Sequence, residues 1–237
     1  MHNGCLPDSL MSSKRTSKYR AKEEGSRQVN LLPKNDKQAA YIKALKSCPQ
    51  VIVTGPAGTG KTYIASTYAA TLFLRGDIDK IILTRPNVAA GRSLGFFPGT
   101  MEEKMAPWVI PFTDVLEACM GSEIYQIASK KRQIDIVPFE VMRGRTFNRA
   151  FVILDEAQNT SPSEMKMFLT RIGEESQVVL NGDIKQSDLK STSGLKTIID
   201  MIQKQKLPVE HVEFTVEDIV RSDICAMWVK AFDKVGI

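Results

Sequence analysis

Two short runs of the sequence carry the residue types that phosphate chemistry needs. Gly55-Pro56-Ala57-Gly58-Thr59-Gly60-Lys61-Thr62 fits the pattern G-x-x-x-x-G-K-[ST]. Its glycines let backbone N–H groups converge on phosphate oxygens, the following helix adds its positive end, and Lys61 neutralises the terminal phosphates. Thr62 offers a hydroxyl to Mg²⁺. In the second run, Phe151-Val152-Ile153-Leu154-Asp155-Glu156, four apolar residues lead into two acids. That is a buried strand presenting Asp155 at its C-terminal end, where open α/β sheets bind ligands. Asp155 would hold the metal, directly or through water, and Glu156 would orient and deprotonate an attacking water. A third run, Leu180-Asn181-Gly182-Asp183-Ile184-Lys185-Gln186, again ends an apolar stretch in polar residues, with Gln186 within reach of a γ-phosphate. Alone it reads as a turn, and its weight comes from following the other two in chain order.

These residues need a scaffold that brings them to one edge. Short apolar runs at Val51–Val53, Lys80–Thr84, Ala150–Leu154 and Gln177–Leu180 read as buried parallel strands, with Val209–Phe214 a weaker, alternating fifth. Helical patterns lie between them: Asp36 to Lys46, Tyr63 to Leu74, and the set Met165, Phe168, Leu169 and Ile172. Ser161-Pro162-Ser163-Glu164 before the last set is a capping box with proline at the first helical position. Strands and helices alternating without hairpin turns predict βαβ units, and hence an α/β fold with a mostly parallel sheet covered by helices on both faces. Residues 86–145, rich in Gly and Pro, read as an inserted loop-and-helix region rather than more sheet. Residues 1–30 read as a flexible basic arm and 31–237 as a single domain.

The resemblance that these residues carry is to the PhoH family of ATPases. It extends from about Leu31 to the end and rests on GPAGTGKTYIA (55–65), ILTRPNVAAGRSLGFFPG (82–99), VMRGRTFNRAFVILDEAQNT (141–160), MKMFLTRIG (165–173), NGDIKQSDL (181–189), SGL (193–195) and EDIVRSDI (217–224). The family is similar to the nucleotide-binding core of superfamily-one helicases. The resemblance therefore implies a RecA-like fold, ATP with Mg²⁺ as cofactors, and action on RNA or single-stranded DNA. Some members carry an N-terminal nuclease domain; this sequence has only the basic arm there and resembles the short, phage-encoded type.

The resemblance gives further residues a meaning, each beside a plainer one. Gln38 resembles the glutamine that helicases place upstream of the P-loop to read adenine, or it faces solvent on its helix. Arg85 ends a strand on the ligand side, touching phosphate or nucleic acid, or pairing with a local carboxylate. Arg143 and Arg145 contact nucleic acid or a neighbour's nucleotide, or form surface salt bridges. Arg221 is the arginine-finger candidate, or it pairs with Glu217 or Asp218. Phe96 and Phe97, between Gly95 and Pro98-Gly99, could stack on bases or plug a subunit interface. Trp228 and Phe232 on the last helix read as core. Helicases of this type close ATP between two RecA-like cores, and this chain has room for one. A second copy would then supply the finger, and head-to-tail repetition closes a ring, expected to be a hexamer.

Composition narrows the classes. The 237 residues carry 32 Lys and Arg against 27 Asp and Glu, for a net charge of +5. Three of those five charges lie in the first 30 residues, so a sequence pI near 9.0 permits a nucleic-acid partner without demanding one. No apolar run approaches the roughly 18 residues of a membrane span, and no apolar leader opens the chain. The four cysteines are scattered without a CxxC pair, as reduced thiols in a cytoplasmic protein would be, and neither His2 nor His211 has metal-ligand company. Two competing functions stay open: a phosphotransferase acting on a small molecule, and a ring that binds ATP without motor activity. A kinase keeps water from the γ-phosphate, whereas Glu156 directly after Asp155 activates it, which favours hydrolysis.

Overall fold

The computed structural model of the chain describes residues 31–86, 101–189 and 192–235. Six strands form one sheet in which every pairing is parallel: β1 (Gln50–Thr54), β2 (Lys80–Thr84), β3 (Ile134–Ile136), β4 (Ala150–Leu154), β5 (Gln177–Gly182) and β6 (Glu210–Glu213). Their order is β3-β2-β4-β5-β1-β6. Successive residues of a strand face opposite sides, so each strand feeds two cores. Val51, Val53, Ile81, Leu83, Phe151, Ile153 and Val179 pack on one face with α1 (Asp36–Ser47), α2 (Lys61–Arg75), α3 (Met101–Met120) and α4 (Ser122–Lys130). Ile52, Ile82, Val152, Leu154, Val178 and Leu180 pack on the other with α5 (Pro162–Leu169) and α6 (Gly194–Gln205). This is the α/β architecture of P-loop NTPases: a parallel sheet with both faces covered.

Local signals in the sequence act where they are read. The Asn35 side chain caps α1 by accepting from the Gln38 N–H at 2.8 Å. In the capping box of α5, the Ser161 N–H donates to the Glu164 carboxylate at 2.7 Å and the Glu164 N–H donates back to the Ser161 hydroxyl at 3.3 Å.

Two expectations need correction. Residues 86–145 hold α3 and α4, but also the edge strand β3, which pairs with β2. Three residues with an acid in the middle, Ile134-Asp135-Ile136, give too short an apolar signal to be read as a strand. Trp228 and Phe232 are not core. They lie on α7 (Asp223–Val235), where Trp228 is 55% and Phe232 48% exposed, and their rings stack on one another at 5.9 Å. Periodicity reveals an apolar face but not what covers it. Among the described residues, α7 packs mainly on the 3-10 turn Val216–Asp218. The basic arm and Phe96–Phe97 lie outside the described residues.

Candidate nucleotide site

The strand order decides where the three motifs meet. β5 lies between β1, which leads into the P-loop, and β4, which leads into Asp155. The two motifs are therefore held two strand spacings apart, about 10 Å. The end of β5 brings Gly182 and Asp183 into the gap. A cavity of about 420 Å³ opens there, and Lys61, Thr62, Asp155, Glu156, Asp183 and Gln186 all line it.

The P-loop is folded for phosphate. Gly58 has φ +86°, where any other residue is strained, and a side chain there would also press on the Arg221 side chain at about 3 Å. Lys61 Nζ donates to the carbonyls of Gly55 at 2.5 Å and Pro56 at 2.8 Å. Its ammonium thus sits in the cradle that phosphate oxygens would fill. Burial pulls its pKa down from the ordinary lysine range, while Asp183, Asp155 and Glu156 pull it back up.

The Asp155 side chain is 16% exposed. Burial first, and the adjacent Glu156 second, push its carboxyl up to about 6, with Arg85 and Lys61 working the other way. A buried carboxylate raised by desolvation is one that a cation would stabilise strongly. On the strands flanking β4, the Thr84 hydroxyl and the Asn181 amide are buried with no hydrogen-bond partner. Buried polar atoms of this kind are normally satisfied, by water if not by protein. Neither Thr84 nor Asn181 lines the cavity; the Asp155 carboxylate and the Thr62 hydroxyl do, and that pair of oxygen donors suits a hydrated magnesium ion.

Glu156 occupies the left-handed region at φ +52°, an uncommon conformation for a non-glycine residue that Arg132, Arg149, Glu175 and Lys206 share elsewhere in the chain. Its Oε2 accepts from Gln158 Nε2 at 2.6 Å, and Gln158 Oε1 in turn accepts from the Asp183 N–H at 3.0 Å. Gln158 is buried and joins the acidic strand to the end of β5. A Cβ at Gly182 would stand 2.9 Å from Gln158 Oε1, so glycine is what lets this bridge close. No sequence signal singles out Gln158, although it stands only two residues after Glu156.

The remaining candidates divide. Gln38 is buried, not solvent-facing: its Nε2 donates to the Thr59 carbonyl at 2.9 Å and its Oε1 accepts from the Lys34 N–H at 2.9 Å. It braces the P-loop from behind. Arg85 lines the cavity and pairs with Asp155 and Glu156, the local-carboxylate alternative. Arg145 pairs with Asp135 at 2.7 Å and lies over the Phe147 ring, the salt-bridge alternative again. Arg143 is exposed and does not line the cavity.

The finger candidate Arg221 stands beside the P-loop of its own chain. It lines the cavity of its own chain and lies against Gly58 of its own P-loop. The segment that carries it is tied down there, because the Phe214 N–H donates to the Thr54 carbonyl at 2.8 Å and the Val220 N–H to the Gly58 carbonyl at 3.0 Å. Neither nearby acid takes it: Lys230 holds Glu217 at 2.6 Å, and Asp218 accepts from Thr215. Trp108, Pro111, Phe112 and Val115 of α3 add an apolar wall that the sequence did not announce.

The family model described as PhoH-like protein matches residues 30–233. Protein PhoH of Escherichia coli (strain K12) is 43% identical over 206 residues, covering 85% of this chain and 58% of that protein. A PhoH-like protein of Bacillus subtilis (strain 168) is 44% identical over 199 residues, covering 83% and 62%. The chain thus spans about three-fifths of the length of these curated relatives. Among solved structures, the large terminase of a thermophilic bacteriophage aligns with a TM-score of 0.49 at 10% identity, over 84% of this chain and 50% of that one.

The raised carboxyl of Asp155 gives a signed prediction. Between about pH 4 and pH 6 the native protein binds a proton that the unfolded chain does not, so stability is full at low pH and falls as pH rises through 6. Asp155→Asn removes that loss. In EDTA the variant should be more stable than the parent at pH 8, by on the order of 1–3 kcal/mol, with little difference near pH 4. Thermal denaturation at both pH values checks this; an equal effect at both, or destabilisation at pH 8, contradicts it.

Proposed function

The chain belongs to the PhoH-like protein family, and from that premise we propose that it hydrolyses ATP with magnesium. The observation that carries the proposal is the meeting of Lys61, Thr62, Asp155 and Glu156 in one cavity, across a gap sized for a terminal phosphate. Lys61 exchanges the Gly55 and Pro56 carbonyls for phosphate oxygens, and the P-loop N–H groups bind the rest of the chain of phosphates. Thr62 and Asp155 would hold the metal, whose bound charge offsets that of the triphosphate. Glu156, fixed by Gln158, orients the attacking water and takes its proton. Gln186 on its 3-10 turn faces the γ-phosphate end, and Arg221 covers the P-loop side in cis. With ATP as substrate, this reading places the protein in the cytoplasm; among the described residues, no helix is long and apolar enough to cross a membrane.

Two partners follow as part of the same proposal. Hydrolysis is coupled to RNA or single-stranded DNA, a reading supported by the family's helicase-like motifs and by the exposed Arg143. The chain also self-associates head to tail into a ring, as a hexamer if it follows other RecA-like cores. Support for contact between copies comes from α7, where Ile224, Met227, Trp228, Phe232 and Val235 are all largely exposed. An apolar stripe of this size on one helix is unusual for a surface left to solvent.

Phosphate release, with single-stranded RNA, single-stranded DNA or neither at one salt concentration, tests the catalytic reading. Glu156→Gln should bind ATP normally and turn over about 10²–10⁴-fold more slowly, while Lys61→Ala also weakens binding. Stimulation by a single strand is expected in the parent and absent in Glu156→Gln. Parental turnover by Glu156→Gln would overturn the assignment. For assembly, Trp228→Glu with Phe232→Glu should convert a multi-copy particle to single chains in sedimentation; an unchanged particle, or a parent that is monomeric, contradicts the ring.

A further inference from the structure

Arg85 does something that P-loop chemistry alone does not require. It follows the last residue of β2, and its guanidinium spans the acidic pair: Nη1 stands 3.7 Å from Asp155 Oδ2 and Nη2 stands 3.7 Å from Glu156 Oε1. The same guanidinium lies over the indole of Trp108, with Cζ 4.9 Å from the ring centroid. Arg85, Trp108, Asp155 and Glu156 all line the nucleotide cavity. At 3.7 Å the two contacts are ionic and lack the geometry of good hydrogen bonds, so they hold the arginine without locking it.

The consequence falls on Glu156. One of its oxygens faces Arg85 and the other accepts from Gln158 Nε2. A carboxylate facing a cation on one oxygen and accepting a hydrogen bond on the other is turned to those partners, not to a water. An arriving triphosphate changes the competition. Its terminal phosphate offers a guanidinium short, charge-assisted, bidentate bonds, and Asp155 would then face the charge of the metal that it would hold instead of that of Arg85.

We propose that Arg85 is the residue that senses the γ-phosphate: it rests on Asp155, Glu156 and Trp108, and moves to the terminal phosphate when a triphosphate binds. In the resting site it is a positioning residue that keeps Glu156 from activating water. In the loaded site it touches the substrate and balances the charge that grows on the transferring phosphoryl group, while Glu156 is released to take the water's proton. A diphosphate has no group to draw it across, so Arg85 stays on Trp108. Because Trp108 belongs to α3, which walls the cavity and packs on the P-loop helix α2, its loss of the cation reports the nucleotide state outside the phosphate site. The inference rests on the ATPase reading.

The chain has two tryptophans, and Trp228→Phe leaves Trp108 as the sole indole while keeping an aromatic ring on α7. Magnesium with AMP-PNP or with ADP is titrated against that protein, reading Trp108 emission, with calorimetry measuring binding in parallel. The emission is expected to change with AMP-PNP and to stay at its starting value with ADP. Arg85→Ala, in the same background, should abolish the change, retain ADP affinity within about twofold, and lower kcat by about 10²–10³-fold, as loss of one transition-state donor does. Arg85→Lys keeps a charge without the planar fork and should recover little of kcat. Identical emission with both nucleotides, while calorimetry shows both bound, overturns the inference and leaves the ATPase reading standing. An Arg85→Ala protein that keeps parental kcat and its preference for the triphosphate does the same. Failure of both nucleotides to bind overturns the two together.

Discussion

The whole site depends on one strand placed between two others. If β1 and β4 were neighbours, the P-loop and Asp155 would be about 5 Å apart, with no room for a terminal phosphate, a metal and a water. With β5 between them the gap doubles, and the intruding strand ends in residues suited to its floor. Gly182 has no side chain because Gln158 and Leu195 approach too closely for one. Asp183 offers its N–H to Gln158 and its charge to Lys61. The spacing is set by backbone hydrogen bonds buried between two apolar cores, so the phosphate gap is as rigid as the fold itself.

Charge does the rest. Three carboxylates and three cations, Lys61, Arg85 and Arg221, surround a cavity with an apolar wall from α3. Lys61 and Arg85 each have a provisional partner: P-loop carbonyls for Lys61, and the acidic pair and an indole for Arg85. Phosphate and metal would satisfy the same groups better, which is how binding energy becomes a rearrangement and not merely adhesion. The segment 214–221 ties its own P-loop to its own Arg221.

Legibility in the sequence followed the locality of the signal. The P-loop, the strand ending in Asp155-Glu156, and the cap at Ser161 could be read because each is a short pattern whose meaning is local. Of the six strands among the described residues, four were legible as apolar runs and β6 as a weaker, alternating one; β3 was not, since two isoleucines around Asp135 make no such run. The roles of Arg85, Arg145 and Arg221 depended on what stands beside them in space, and in the first two cases the plain ion-pair alternative is the one observed. Gln158 and Trp108 could not be found from spacing, because their partners lie 25 residues ahead and 23 behind. The apolar face of α7 was legible, but its destination was not.

The central claim is that Glu156 directs water, and not another acceptor, at the γ-phosphate. Hydrolysing ATP in ¹⁸O-labelled water with no added acceptor, and weighing the released phosphate, tests it most directly. Inorganic phosphate carrying an oxygen from the solvent in every molecule, released in step with ADP, is the expected result. No phosphate release until a small-molecule acceptor is supplied, with the phosphoryl group then found on that acceptor, would contradict it.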